Sequence, residues 1–508
     1  MNVAAIVAGL VATAVADRRW LLVAQREHYL PGSATRFALR WWRIGPNRLL
    51  AAAAVVGVVL SPLTPAVAIV AAAAIAVGPF GFPLRPRSPG PLDWTTRLRS
   101  VALLVAGAQA AVVAAAIVLG AGPPVAAAVA LVVPPTVDLA LAALKPLEDQ
   151  RARGFVQQAR ARLDAVRPTV VAITGSYGKT TTKAYAAHLM APAKRVVPSP
   201  RSFNNRAGLS RAVNEQVTPG TEVFIAEMGT YGRGEIAELV TWLHPQVAAI
   251  TAIGPVHLER FGTEDEIVKA KSEIFTGVTT AVLNVDDDRL AAVAGALSGP
   301  QVVRCSSRDP HADVSVIEEG GRLIIRRAGE VVGEAPVPDA PLENIAVAAA
   351  LAFAVGVPAV AVTSALATLT HVANRQSVER LSTGALAIDD TFNSNPAGSR
   401  AALAALCRRA SGAAKRVVVT PGMVELGPVQ AEENRAWATL AARAATDLIV
   451  VGLTNRRALL AGAADVPAGE RAHVVVVDRH EQAVAWARAH TAEADVVLYE
   501  NQLPDHYP

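Results

Sequence analysis

Residues 170–190 read VVAITGSYGKTTTKAYAAHLM, an apolar run, a glycine turn and a helix start. In Thr174-Gly175-Ser176-Tyr177-Gly178-Lys179-Thr180 the two glycines let backbone N–H groups wrap a phosphate, and the start of the following helix adds its partial positive charge. Residues Gly175, Ser176, Tyr177, Gly178, Lys179, Thr180 and Thr181 form the expected ATP cradle. Lys179 is placed to reach the outer phosphates, and the Thr180 hydroxyl to coordinate Mg²⁺. The strict eight-residue spacing falls short, because Ile173 stands where the first glycine belongs. A turn of this kind alone is moderately specific. Its strand-before, helix-after setting points to a nucleotide site.

The elements that position this loop alternate in period. After Lys145 the chain turns charged and helix-friendly over 146–167, a linker helix at a membrane surface. Beyond it apolar β-like runs alternate with helical ones: 169–173, 222–226, 247–252, 280–284, 301–304 and 322–326, then 385–389, 416–420, 447–451, 473–477 and 495–499. Such alternation predicts α/β architecture, parallel sheets with helices on both faces. A long helical run at 341–370 is followed by the polar turn HVANRQSVER, which suggests a boundary near 374. The expected organisation is a transmembrane helical region at 1–147, a linker helix at 148–167, a central ATP-binding domain at 168–373 and a C-terminal Rossmann-like domain at 374–508.

The first 145 residues have a different character. Apolar stretches lie at 2–16, 49–77, 100–120 and 123–144. The last two have the length that crosses a bilayer, and the AGPP between them predicts a helical hairpin. The stretch 49–77 is interrupted by Ser61-Pro62-Leu63-Thr64-Pro65, where prolines remove helix donors, so two short helices meeting at a turn are expected. Arginines crowd both flanks, from Arg18 to Arg48 and at Arg85, Arg87, Arg97 and Arg99. Flanks of one sign belong on one side. This predicts a multi-pass protein of the inner (cytoplasmic) membrane with an external N-terminus and catalytic domains in the cytoplasm. The first stretch, with no small-residue cleavage site before its charges, reads as an uncleaved anchor. The net charge of +5 is modest, and no aromatic-basic interleaving suggests a nucleic-acid platform. Cys305 and Cys407 make no CxxC pair, which excludes a four-cysteine zinc ribbon.

Further segments follow the phosphate loop: FNNRAG at 203–208, EMGTYGRGEI, AIGPVHLERFG and IVKAKSEIF within 227–275, NIAVAAALA at 344–352, DDTFNSNP at 389–396 and TPGMVELG at 420–427. Together, in this order, they resemble the Mur ligase family, and within it the MurF type, over about residues 168–500. The resemblance implies ATP and Mg²⁺ as cofactors and an ADP-forming peptide ligase of peptidoglycan synthesis. It implies that Thr180, Glu227, His257 and Lys271 serve metal ions, Lys271 as a carbamate. It further implies that Lys179, Lys271, His257 and Asn205, with Asn204 beside it, flank the reaction. Asn344 would contact adenine, and Arg375 and Asp390 would close over ATP from the third domain. The implied partners are a muropeptide or other carboxylate donor and an amino-acid or dipeptide amine acceptor; the apolar segments add the membrane, and the donor is UDP-linked or lipid-linked.

Three departures stand against the MurF pattern. The domain that grips the UDP-sugar is replaced by the apolar segment. The adenine segment reads Glu343, Asn344 and Val347 in place of the family's His-Asn and later Asn. The chain ends VVLYENQLPDHYP, with Glu500 and Asn501 where a lysine-containing end is usual. The departures motivate a lipid-linked donor. A poly-γ-glutamate synthase-like ligase and a membrane ATPase without ligase activity are the competing readings.

Overall fold

A computed structural model describes residues 3–45, 47–77, 92–200, 203–338, 340–369, 377–391, 395–412, 414–503 and 507. Two units result, Met1–Gln150 with Leu503–Pro508, and Arg151–Gln502.

The first unit is helical: Val3–Arg26, Ser33–Trp42, Asn47–Leu60, Pro65–Val77, Thr96–Val118, Gly122–Leu131 and the start of Val133–Val166. The break at residues 61–64 falls where the prolines predict it. Three details differ from expectation. The first helix continues through Asp17-Arg18-Arg19 to Arg26, because Asp17 accepts a hydrogen bond from Gln109 at 2.9 Å and Arg19 donates to the Ala76 carbonyl at 3.3 Å. The stretch 123–144 is two helices bent by 69°, broken at Val132. Pro134 and Pro135 lack donors and so belong in the first turn of a new helix. That new helix runs 34 residues to Val166 through Pro146, so the expected linker helix is its second half. By length and composition one helix, Thr96–Val118, suffices to cross a membrane, or up to three spans arise if each bent pair counts as one.

The second unit holds two sheets among the described residues. The first contains β1 (Thr169–Thr174), β2 (Val196–Pro198), β3 (Val223–Glu227), β4 (Val247–Ile250), β5 (Thr280–Asn284), β6 (Gln301–Ser306), β7 (Val314–Glu319), β8 (Arg322–Arg327) and β9 (Glu330–Pro336), in the order β2-β3-β1-β4-β5-β6-β7-β8-β9. Strands β1 to β6 pair in parallel, and β1, with five of its six residues buried, lies near the middle, as a strand covered on both faces must. The second contains β10 (Ser377–Arg380), β11 (Leu386–Asp390), β12 (Arg416–Thr420), β13 (Asp447–Val451), β14 (His473–Val477) and β15 (Val496–Glu500), in the order β10-β11-β15-β12-β13-β14. All eleven anticipated strands form. The purely parallel expectation is corrected at the edges: β8 is antiparallel to β7 and β9, and β10 is antiparallel to β11. The long run at 341–370 is divided into Leu342–Ala354 and Ala359–Leu366 by Gly356, at φ 80°, and by Pro358.

Candidate active site

Strand β1 ends at the phosphate loop, and the helix Lys179–Met190 begins where the loop ends. Two glycines permit the turn. Gly178 caps the helix at φ 75°, and a Cβ there would lie 2.4 Å from Asn344 Oδ1. A Cβ on Gly175 would meet Thr251 Oγ1 at 2.0 Å. The loop is held from β4's end: Ser176 N–H donates to the Ala252 carbonyl at 2.7 Å, Ser176 Oγ donates to the Gly254 carbonyl at 3.1 Å, and the Thr251 hydroxyl donates to the Tyr177 carbonyl. The Tyr177 ring lies against Gly254, and burial pushes its phenol above the ordinary range. Thr181 is buried in the first turn of the helix.

Two lysines converge on one carbonyl. Lys179 Nζ donates to Gly175 O at 2.8 Å, and Lys271 Nζ, at the end of the helix Glu264–Ser272, donates to the same oxygen at 3.0 Å. Burial, and secondarily the Lys179 ammonium, hold the Lys271 amine well below the usual lysine range. The neutral amine is the form that reacts with CO₂, and a lowered pKa favours it. The resulting carbamate would put an anionic oxygen donor beside Lys179.

Glu227 ends β3 beside the same helix. Thr180 Oγ1 donates to Glu227 Oε2 at 3.0 Å, and Asn204 Nδ2 lies 3.4 Å from Oε1. A hydroxyl and a carboxylate side by side are a hard-oxygen donor pair of the kind that suits Mg²⁺, which is normally held by one or two carboxylates plus substrate phosphates. Among the described residues no three His, Cys, Asp or Glu side chains form a ready-made metal cluster. The donor set fits Mg²⁺ with the nucleotide and a Lys271 carbamate completing it.

His257 sits at φ 58°, caps the short helix Leu258–Phe261 and shares a hydrogen bond through Nδ1 with Glu425. Burial lowers its pKa, against the opposing pull of Glu425. Arg260 reaches Glu425 Oε1 at 3.7 Å and lies over the Tyr231 ring, whose centroid is 4.9 Å from that of His257. The PGMVELG turn therefore meets the HLERFG segment.

Other anticipated residues take different places. Asn205 caps the helix Arg206–Gln216, its side chain accepting from Gly208 N–H at 2.9 Å, so Asn204 is the member of the pair that faces Glu227. Asp390 ends β11 next to Glu500 of β15, its carbonyl accepting from Asn501 N–H. Arg375 and part of DDTFNSNP lie outside the described residues. Glu500 is buried and accepts from the Ser399 hydroxyl at 2.8 Å and from Thr420, so a satisfied carboxylate fills the place of the family's lysine. Sequence reasoning missed Lys183 and Glu425. Lys183 lies one helical turn beyond Lys179, a spacing that puts both on one face. Glu425 lies in a segment quoted only for resemblance.

Comparison with known proteins agrees with this geometry. Residues 173–352 match the Mur ligase middle domain, and residues 374–499 match the glutamate ligase domain of Mur ligases. The chain is 33% identical over 365 residues to the UDP-N-acetylmuramoyl-tripeptide–D-alanyl-D-alanine ligase of Mycobacterium bovis, covering 66% of this chain and 71% of that protein. In fold it is similar to MurF from Acinetobacter baumannii (TM-score 0.61, 24% identity, 69% of this chain and 77% of that one). It is also similar to MurF ligase from Thermotoga maritima in complex with ADP (TM-score 0.58, 24% identity, 69% and 80%).

Proposed function

The chain belongs to the Mur ligase family, an ADP-forming peptide ligase that uses ATP and Mg²⁺, and from that premise we propose that it is a membrane-anchored ligase of MurF type whose carboxylate donor is lipid-linked. The observation that carries the ligase site is the convergence of Lys179 and Lys271 on Gly175 O, on the same loop and helix start that bring Thr180 to Glu227.

The chemistry follows from charge. A donor carboxylate attacks the γ-phosphorus of ATP, the bond to the bridging oxygen breaks, and ADP leaves. Carboxylate and phosphate repel, so the loop N–H groups and the Lys179 ammonium stabilise the charge that accumulates between them. Mg²⁺ held by Thr180 and Glu227 would screen the same charge. The acyl phosphate formed is then attacked at its carbonyl carbon by an uncharged amine, the nitrogen releases a proton as phosphate leaves, and an amide remains. Water must be kept out meanwhile. The contact of Glu425 with His257 and Arg260 supplies such closure between the two sheets' loops.

The membrane reading is supported by a packing pattern. The helical unit buries small residues, among them Ala5, Ala12, Ala68, Ala71, Ala126 and Ala127, while Val7, Leu49, Val59, Leu103, Val118 and Leu139 face outward. Large aliphatic side chains turned outward suit a lipid surface, and helices in lipid pack closely through small residues, while Trp20, Phe37 and Leu98 are also buried in this unit. A Cβ on Gly9 would lie 2.7 Å from Ala126 Cβ, and one on Gly57 2.8 Å from Ala71 Cβ. A groove of about 910 Å³ in this unit is lined by Arg40, Arg43, Arg36 (paired with Glu27 at 2.8 Å) and Asp138 beside Leu39 and Leu139, a lining of net positive charge that suits an anionic headgroup with an apolar tail. The test is phosphate release by the purified full chain in lipid nanodiscs, offered UDP-linked or lipid-linked muropeptide with an amine acceptor. The reading predicts turnover on the lipid-linked donor, and turnover only on the soluble donor removes the lipid-linked part of it.

A further inference from the structure

Lys183 takes no part in the chemistry above, yet it is bound into the site. It is 4% exposed, and its Nζ lies 2.9 Å from Oε2 of Glu227, itself 1% exposed. The same oxygen receives the Thr180 hydroxyl at 3.0 Å, and Asn204 stands 3.4 Å from the other. The Glu227 backbone is fixed as well, its N–H donating to Ser199 Oγ at 3.2 Å. The carboxylate assigned to Mg²⁺ is thus already neutralised by a cation from the phosphate-loop helix.

We propose that Lys183 is a positioning residue that takes the electrostatic place of a divalent ion at Glu227 and thereby makes metal binding there depend on nucleotide. The inference rests on Glu227 as a Mg²⁺ ligand. A cation at 2.9 Å from the carboxylate repels an approaching divalent ion and competes with it for the same oxygen, an effect of about ten- to a thousandfold for a close opposite charge. Free Mg²⁺, strongly hydrated and offered one neutralised carboxylate, gains little by shedding water. When the ion arrives with ADP or ATP, the polyphosphate brings several negative charges. Lys183 then becomes one of several cations balancing them, and the barrier to sharing Glu227 falls. The ion pair also holds the buried carboxylate beside Thr180, which avoids the large penalty of an unpaired buried charge.

The experiment uses the full chain and Mn²⁺ as a paramagnetic probe, with bound ion read by electron paramagnetic resonance. Without nucleotide, Lys183→Met is expected to bind Mn²⁺ at least about tenfold more tightly than wild type, and Lys183→Arg is expected to behave as wild type. With saturating ADP, the three proteins are expected to agree within about threefold, because the polyphosphate dominates the local charge. Adding Glu227→Gln to Lys183→Met should abolish the gained site. Equal nucleotide-free Mn²⁺ affinity in wild type and Lys183→Met overturns the proposal, as does a gain that survives Glu227→Gln. If Lys183→Met does not fold, Lys183→Gln carries the same readout. The underlying metal assignment fails separately: Glu227→Gln alone would then leave Mn²⁺–ADP binding unchanged.

Discussion

Replacing Gly178 with alanine tests how the loop and Asn344 cooperate. Gly178 has φ 75°, and a Cβ there would stand 2.4 Å from Asn344 Oδ1, about 1 Å short of ordinary contact. An L-residue in this left-handed region costs about 1–2 kcal/mol. For a unit of this size that corresponds to a melting temperature lowered by about 1–3 °C. The clash adds a second effect. Asn344 must move about 1 Å, and if it makes the adenine contact the family resemblance implies, that contact is lost. A neutral hydrogen bond contributes about 0.5–1.5 kcal/mol, so ADP affinity should fall by about two- to tenfold. Calorimetric ADP titration and thermal melting measure the two effects. In an Asn344→Ala background the obstructing atoms are gone, so Gly178→Ala should then cost stability through its backbone alone and little further ADP affinity. The reasoning is refuted if the two substitutions weaken ADP binding additively, or if neither changes it.

Three further outcomes follow from the geometry. Lys271 binds fewer protons folded than unfolded between its depressed pKa and the ordinary lysine value near ~10.4, so its contribution to stability rises with pH across that window and is lost as pH falls. Melting of CO₂-free protein from about pH 6 to 10 should show this slope in wild type and not in Lys271→Met, and ¹³C-labelled bicarbonate should give a carbamate resonance that the variant lacks; equal slopes would contradict it. Glu425→Ala removes the partner of His257 and Arg260, so water should reach the acyl phosphate and the ratio of phosphate released to amide formed should rise severalfold, by about three or more; an unchanged ratio would contradict the closure role. Gly57→Leu forces the helices Asn47–Leu60 and Pro65–Val77 apart, since even a Cβ meets Ala71 at 2.8 Å, and overpacking of about 1–3 kcal/mol should reduce the folded fraction recovered from membranes; full recovery at wild-type melting temperature would contradict the close crossing.

Much of the catalytic half was legible because its strands are continuous apolar runs with glycine or charged residues between them. The run at 447–451 is Asp-Leu-Ile-Val-Val, and it forms β13 over those residues. Strands β2, β7, β9 and β10 were missed: β2, β9 and β10 are edge strands, short or charged, and β7 alternates and ends in charge as Val-Ser-Val-Ile-Glu-Glu, its pairing with β8 depending on the turn at Gly320 and Gly321, where both φ values are positive. The phosphate loop was readable since its chemistry is local. The Lys183–Glu227 and His257–Glu425 pairs were not, because they join residues 44 and 168 positions apart, and one sequence carries no sign of which distant charges meet. In the helical unit hydropathy located the apolar segments. It did not locate their ends, since Asp17 and Arg19 remain inside a helix by finding polar partners in Gln109 and the Ala76 carbonyl.

The most direct measurement follows oxygen. A donor whose reacting carboxylate carries ¹⁸O, incubated with ATP, Mg²⁺ and an amine acceptor, transfers one labelled oxygen to each phosphate released if an acyl phosphate forms and the amine displaces it. The account predicts singly labelled phosphate in equal number to the amide product. Unlabelled phosphate, released at the same rate with or without the acceptor, would show that the site delivers the γ-phosphoryl group to water and would contradict the ligase.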